Sequence, residues 1–218
     1  VFIGWPYLND FDQGLMTLVQ EHRRATLDGT IVLITRLGDF RTQFVVGGVL
    51  TGLLLLSRQW RPAIFAACTL MGTALANGTL KWLFARARPE VLSDPLTSYS
   101  MPSGHSSASF AFFLTLAVLA GRGQPPRMRL TWILLGCLPA MSIALSRGYL
   151  GAHGPTDILA GSLLACCGCA ASLSLVQHRE PLGAMPLKVW WLILPACAGT
   201  LAFFALHALP HALLRYQY

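Results

Sequence analysis

Six long apolar stretches, almost free of charge, are the feature that most constrains what this 218-residue chain can form. Hydrocarbon offers no water to unpaired backbone N–H and C=O groups, so such a stretch crosses a bilayer as a helix. We therefore predict an all-α fold, a polytopic membrane helical bundle with about six transmembrane helices. The predicted helices cover about residues 44–56, 63–80, 106–120, 130–145, 158–176 and 189–209.

Charged residues make up only 11% of the chain, against about 25% in an average soluble domain. Lys and Arg outnumber Asp and Glu by 16 to 9, but they stand in the short gaps between apolar stretches instead of forming a basic stripe. This placement argues against a nucleic-acid partner and indicates membrane lipids and an anionic substrate. Cys166, Cys167 and Cys169 lie close together without a completing ligand set, so we predict no metal site and no cofactor.

The segment ahead of the first apolar stretch has a different pattern. Phe11, Leu15, Leu18 and Val19 recur at helical spacing, with polar side chains such as Asp12 between them. This predicts an N-terminal amphipathic helix, which either lies on the membrane surface or packs against the bundle.

One membrane-embedded domain, over residues 1–218, accounts for the whole length. Within it we expect an amphipathic, juxtamembrane segment over 1–41 and the helical bundle over 42–212. Because the chain begins at Val1 with an apolar stub instead of Met, we expect it to be a fragment of a longer chain.

The distribution of basic residues among the gaps predicts how the chain is oriented. One set of gaps, predicted to be cytoplasmic, holds Arg58, Arg61, Arg122, Arg127, Arg129, Arg179 and Lys188. The other set holds Lys81, Arg86, Arg88, Arg147 and Arg215, most of which belong to the polar clusters described next. We expect that second set to face the periplasm or exterior of a cell membrane, the inner membrane in a bacterium.

The first polar cluster is Lys81 and Arg88, in KWLFARARP at the end of the second apolar stretch. Seven residues make about two helical turns, so both cations can lie on one face of a helix. Pro89 disfavours helical geometry at Arg88 and predicts that the helix ends there. The alternative is a pair of cations that snorkel from the end of a span.

The second cluster is Pro-Ser-Gly-His at residues 102–105, directly before an apolar stretch. Ser103 is a typical helix cap, and the free N–H groups of a helix start bind anions. Gly104 allows a ligand to approach the backbone, and His105 stands beside it as a possible proton donor. An ordinary capped helix is the alternative.

The third cluster is SRGYLGAHGPTD, which contains Arg147, His153 and Asp157. A spacing of four residues lets the Asp157 carboxylate reach one imidazole nitrogen of His153 and leave the other free. Arg147 adds a donor suited to phosphate. A histidine and an aspartate that only satisfy each other at a helix end are the alternative.

All three clusters fall on the same side of the predicted topology. Two histidines, one carboxylate and three or four cations suit phosphoryl transfer, in which cations hold the nonbridging oxygens and histidines act as nucleophile and acid. In this order and with these spacings, the motifs KxxxxxxRP, PSGH and SRxxxxxHxxxD resemble the three signatures of the type 2 phosphatidic acid phosphatase superfamily.

The resemblance implies a role for each matching residue. His153 would be the nucleophile that forms a phosphohistidine, Asp157 would orient it, and His105 would be the general acid. The implied phosphate-binding residues are Lys81, Arg88, Ser103, Gly104 and Arg147. Met101 and Gly154 depart from the family pattern, which often has an aromatic and a bulky residue there, but neither replaces a reacting group.

The resemblance implies a membrane-embedded, metal-independent lipid phosphatase. Its substrate would carry a phosphate monoester or pyrophosphate, as undecaprenyl pyrophosphate, phosphatidylglycerol phosphate and phosphatidic acid do. Transfer of the phosphoryl group to a second lipid is one alternative, and a noncatalytic lipid-phosphate binding or transport protein is another.

Overall fold

The computed structural model describes residues 5–87 and 98–207, and every regular element in these two ranges is an α-helix. The all-α prediction is therefore confirmed. The eight helices are α1 (Trp5–Glu21), α2 (Ala25–Leu37), α3 (Phe40–Leu56), α4 (Trp60–Phe84), α5 (Gly104–Ala120), α6 (Pro126–Tyr149), α7 (Pro155–Gln177) and α8 (Leu187–His207).

Helices α3 to α8 coincide with the six predicted apolar stretches. Four of them, α4, α6, α7 and α8, are each long and apolar enough to cross a membrane. Helices α2 and α3 together form a fifth candidate, bent by 47° at the junction, and α5 is apolar but only 17 residues long. The chain is thus a multi-pass membrane protein, and the predicted count of about six holds as an approximation.

Helix α5 is the centre of the bundle and packs against α4, α6 and α7. Phe110, Phe112 and Leu119 on this helix are buried. Two glycines allow its neighbours to approach closely. A Cβ at Gly136 of α6 would overlap the α5 backbone, and one at Gly161 of α7 would overlap the backbone of Ser103, the N-cap of α5. Small residues at such contacts let membrane helices gain dispersion energy over their whole length.

The N-terminal amphipathic segment forms two helices, α1 and α2, where the sequence predicts one. Helix α1 packs against α6 and α7, so the predicted contact with the bundle is present. Asp12 and Met16 form the buried side, whereas the apolar residues Phe11 and Leu18 are exposed by 56% and 52%. The apolar face of α1 therefore points away from the bundle and is available to lipid.

The helices place the described residues of the three polar clusters at one end of the bundle. The end of α4, the start of α5, the end of α6 and the start of α7 meet there. At the opposite end, Arg61 at the start of α4 donates to the carbonyl of Val176, near the end of α7, at 2.9 Å. The loops between α3 and α4, α5 and α6, and α7 and α8 lie at that opposite end.

Candidate active site

Ser103 caps the start of α5, as the sequence predicts. Its hydroxyl accepts from the N–H and the hydroxyl of Ser106, at 3.4 and 3.0 Å. The N–H of Ser103 donates to the carbonyl of Asp157 at 2.9 Å, which joins the second cluster to the third. The capped start of α5 is therefore fixed directly against the start of α7.

The His153–Asp157 pair stands where α7 begins. Gly154 is the N-cap, so His153 precedes the helix and Asp157 occupies its first turn. His153 Nδ1 lies 3.5 Å from Asp157 Oδ2, and both side chains are almost completely buried. The same carboxyl oxygen accepts from the N–H of Gly154 at 3.2 Å and from the hydroxyl of Ser100. The one-turn spacing does bring this carboxylate to the imidazole.

Arg147 lies in the last turn of α6 and is also buried. Its guanidinium donates to the hydroxyl of Thr35 on α2 at 3.3 Å. Its carbonyl accepts from the N–H of Ala152 at 2.9 Å, so the chain turns back on itself between Arg147 and His153. This turn keeps the buried cation and the imidazole at the same end of the bundle.

Lys81 lies in the last turn of α4, and its ammonium donates to the carbonyls of Tyr99 and Ser100 at 2.6 and 3.4 Å. The predicted helix end at Arg88 is wrong. Helix α4 ends at Phe84, and Ala85 adopts a left-handed conformation with φ of 45°. Arg88 lies outside the described residues, so its position beside Lys81 stays a prediction.

The role of Arg86 is not evident from the sequence, in which it stands only among the basic residues of this side. Arg86 is buried and donates to Asp157 Oδ1 at 2.8 Å and to Asp12 Oδ2 at 2.7 Å. These contacts explain why α4 ends early, since the chain must leave the helix axis for Arg86 to reach both acids. No spacing rule links Asp12 to Arg86, because they are 74 positions apart.

Asp39, between α2 and α3, is the second residue that sequence reasoning missed. Its Oδ1 lies 3.1 Å from His105 Nε2, and its Oδ2 lies 2.5 Å from a guanidinium nitrogen of Arg36. A Cβ at Gly38 would crowd the His105 ring, so the glycine allows the loop to approach the imidazole. An acid just before an apolar stretch, on the predicted outer side, was the available signal.

The described part of the site therefore brings together two histidines, each beside an aspartate, and two of the predicted phosphate-binding cations, Lys81 and Arg147. A Cβ at Gly104 would stand 4.0 Å from Lys81 Cε, so the Lys81 side chain crosses the start of α5. Within residues 5–87 and 98–207, no group of three His, Cys, Asp or Glu side chains is placed to hold a metal ion. Cations, imidazoles and a helix N-terminus at one place suit an oxyanion ligand.

Comparison with protein families gives a match over residues 61–181 to the family described as PAP2 superfamily, which is more than half of the chain. The matched range contains all three polar clusters. An undecaprenyl-diphosphatase from Sulfolobus acidocaldarius is 28% identical over 169 residues, which cover 74% of this chain and 77% of that protein.

A lipid A 1-phosphatase from Rhizobium etli is 34% identical over 114 residues, 47% of this chain and 45% of that protein. The fold resembles the crystal structure of a transmembrane PAP2-type phosphatidylglycerolphosphate phosphatase from Bacillus subtilis, with a TM-score of 0.68. That likeness covers 80% of this chain and 88% of the other, at 20% identity, and it concerns the fold alone.

Proposed function

This chain belongs to the PAP2 superfamily, and from that premise we propose that it is an integral membrane lipid phosphatase. One observation carries the proposal: the two histidines, Lys81 and Arg147 lie at one end of the bundle, around the capped start of α5. Two relatives with phosphatase names support the reaction class. The substrate is a lipid with a phosphate monoester or a pyrophosphate.

In the proposed reaction, Lys81, Arg88 and Arg147, with the Ser103 hydroxyl and the Gly104 backbone, hold the nonbridging phosphate oxygens. His153 attacks phosphorus with the ring nitrogen that does not face Asp157. The attacked phosphorus is the terminal one. A P–N bond forms, the bond from this phosphorus to the lipid oxygen, or in a pyrophosphate to the bridging oxygen, breaks, and His105 gives its proton to that leaving oxygen.

Water then attacks the phosphohistidine. His105, now neutral, takes a proton from that water, the P–N bond breaks, and inorganic phosphate leaves. Both histidines thereby return to their starting states. Fixed cations neutralise the charge on phosphorus oxygens throughout, so we propose that the reaction needs no metal ion.

The headgroup would reach the site while its acyl or prenyl chains stay in the bilayer. Undecaprenyl pyrophosphate, phosphatidylglycerol phosphate and phosphatidic acid all have this arrangement, and the names of the relatives include the first two kinds of substrate. The assay that tests the proposal measures inorganic phosphate released from each of these lipids in detergent. The matched control is His153→Ala protein purified in the same way.

Release of phosphate by the unmodified chain, but not by the His153→Ala variant, would support the proposal and identify the substrate. Recovery of labelled phosphate on a second lipid would instead indicate a phosphotransferase. Tight binding of a lipid phosphate with no turnover of any tested lipid would indicate a noncatalytic binding protein and overturn the proposal.

We also propose that the site faces the outside of the cell membrane, because the basic loops lie at the opposite end of the bundle. A cysteine at Ser98 should react with an impermeant thiol reagent in intact cells, whereas one at Gln124 should not. Both positions are exposed. The native cysteines are first replaced, and a reversed pattern would place the site in the cytoplasm.

A further inference from the structure

Asp12 and Arg86 form a buried ion-pair network with Asp157, the partner of His153. The proposed chemistry uses neither Asp12 nor Arg86. Their side chains are 3% and 8% exposed. Arg86 donates through Nη2 to Asp12 at 2.7 Å and through Nη1 to Asp157 at 2.8 Å. Burying three charges is costly unless they compensate one another. Relative to apolar side chains of similar volume, the network therefore lowers the free energy of unfolding, which indicates that it has a function.

The two oxygens of Asp157 have different partners. Oδ1 accepts from Arg86, whereas Oδ2 faces His153 Nδ1 and accepts from the N–H of Gly154. A guanidinium is a rigid planar donor, so its contact with Oδ1 fixes the plane of the carboxylate. That plane decides whether Oδ2 points at the imidazole.

Asp12 holds Arg86 and the start of α7 together. Its Oδ1 accepts from the N–H of Thr156 at 3.0 Å, and its Oδ2 accepts from the Thr156 hydroxyl at 2.5 Å as well as from Arg86. A Cβ at position 154 would overlap the Asp12 carboxyl group. Gly154, one of the two departures from the family pattern, therefore leaves the space that Asp12 occupies.

The charges of the network act on His153. Two carboxylates and one guanidinium leave one net negative charge, which favours the protonated imidazole and the positive charge that develops on attack. On the basis of the proposed function, we propose that Asp12 and Arg86 are positioning residues. Through Asp157 they orient His153 and set how tightly His153 holds a proton. Helix α1 would thereby supply part of the catalytic apparatus.

Other charged or titratable groups lie at the same end of the bundle, on the neighbouring elements. They are Lys81 on α4, His105 on α5, Arg147 on α6, and Arg36 and Asp39 at the junction of α2 and α3. The variants described below keep all of these side chains. The second ionisation of the substrate phosphate is also the same for every variant. A difference between variants therefore reports the network itself.

The test compares the acidic limb of the pH profile of kcat/KM in two variants. Asp12→Asn removes a negative charge, so His153 loses its proton more easily and the limb should move to lower pH. Arg86→Gln removes a positive charge, so the limb should move to higher pH, with each shift on the order of one pH unit. The Arg86→Gln variant should also lose activity by about 10- to 100-fold, as when a partner that orients a reacting group is removed.

Two further variants serve as controls. Arg86→Lys keeps the charge but not the planar fork, so kcat should fall while the limb stays near its original pH. Asp10→Asn changes an exposed acid on the same helix and should alter neither quantity. Equal losses of activity in Asp12→Asn and Arg86→Gln with no movement of the limb would reduce the network to a structural role and overturn the proposal.

A second measurement does not depend on turnover. In detergent micelles, NMR of isotope-labelled histidine follows the protonation of His153, whose signal is assigned by its loss in His153→Gln. Opposite shifts of this titration in Asp12→Asn and Arg86→Gln would support the network even if no tested lipid were hydrolysed. An unshifted titration in an active enzyme would overturn the network and leave the proposed function intact.

Discussion

The site contains two His–Asp pairs that differ in almost every physical respect. His153 and Asp157 are four residues apart, almost completely buried, and 3.5 Å from each other. His105 and Asp39 are 66 positions apart and 3.1 Å from each other, and their side chains are 19% and 31% exposed. Local spacing creates the first pair, whereas the packing of α2, α3 and α5 creates the second.

The difference fits a division of labour. Arg86, Ser100 and the Gly154 N–H hold Asp157 from three sides, which suits an imidazole that must keep one orientation while it forms a covalent bond. Asp39 has a second partner in Arg36, and its pair with His105 is partly open to water. An imidazole in such a place exchanges protons readily, which suits a general acid.

The largest effect is expected from a substitution that breaks the buried His153–Asp157 pair. The His153→Ala variant should have no measurable turnover, because the nucleophile is absent. Rapid quenching of the unmodified enzyme should trap labelled phosphate in acid-labile form on His153, detected by mass spectrometry. Trapping on a serine, or full activity of the variant, would contradict the assignment.

Breaking the open pair should cost less. The His105→Ala variant should lose about 10²- to 10⁴-fold in kcat on lipid substrates, the usual contribution of general acid catalysis. Formation of the phosphohistidine from a substrate with a good leaving group, such as p-nitrophenyl phosphate, needs less proton transfer, so the initial burst of nitrophenol should be affected much less. If this first step slows equally for both substrate types, His105 serves in binding instead of acid catalysis.

A smaller effect is expected from Asp39→Asn. The carboxylate stabilises the protonated form of His105, which is the form that an acid needs. Its loss should move the alkaline limb of the pH profile to lower pH and reduce kcat at pH 8 by about tenfold, corresponding to a shift of roughly one unit. Glu180→Gln, an exposed acid at the opposite end paired with Arg61, is the control. An alkaline limb that stays at the same pH would show that Asp39 does not act on the general acid His105.

The smallest expected effect is that of a chelator. Neither His–Asp pair needs a metal ion in the proposed mechanism, so activity measured after dialysis against EDTA should equal that of the untreated enzyme. Vanadate, which resembles phosphate, should still inhibit the dialysed protein. Loss of activity that added magnesium restores would refute the metal-independent mechanism.

Helices α3 to α8 were predictable from the sequence because hydrophobicity and length alone decide which segments cross a bilayer. The start of α5 at Ser103 and the His153–Asp157 contact were equally predictable, since capping and one-turn spacing are local. The prediction that α4 ends at Arg88 was wrong because Arg86 forms ion pairs with distant residues, and these ion pairs compete with continuation of the helix. The division of residues 1–41 into two helices was missed because the amphipathic pattern does not register the break between Glu21 and Ala25.

The sequence by itself thus determined the membrane helices, the order of the motifs and the local pair on α7. Only the tertiary structure decided that Asp12 on α1 is buried beside Arg86, and that Asp39 approaches His105. Both contacts join residues more than 60 positions apart, and each acid carries no local mark that separates it from an exposed one. A charge finds its partner through the packing of whole helices, and no spacing along the chain encodes that packing.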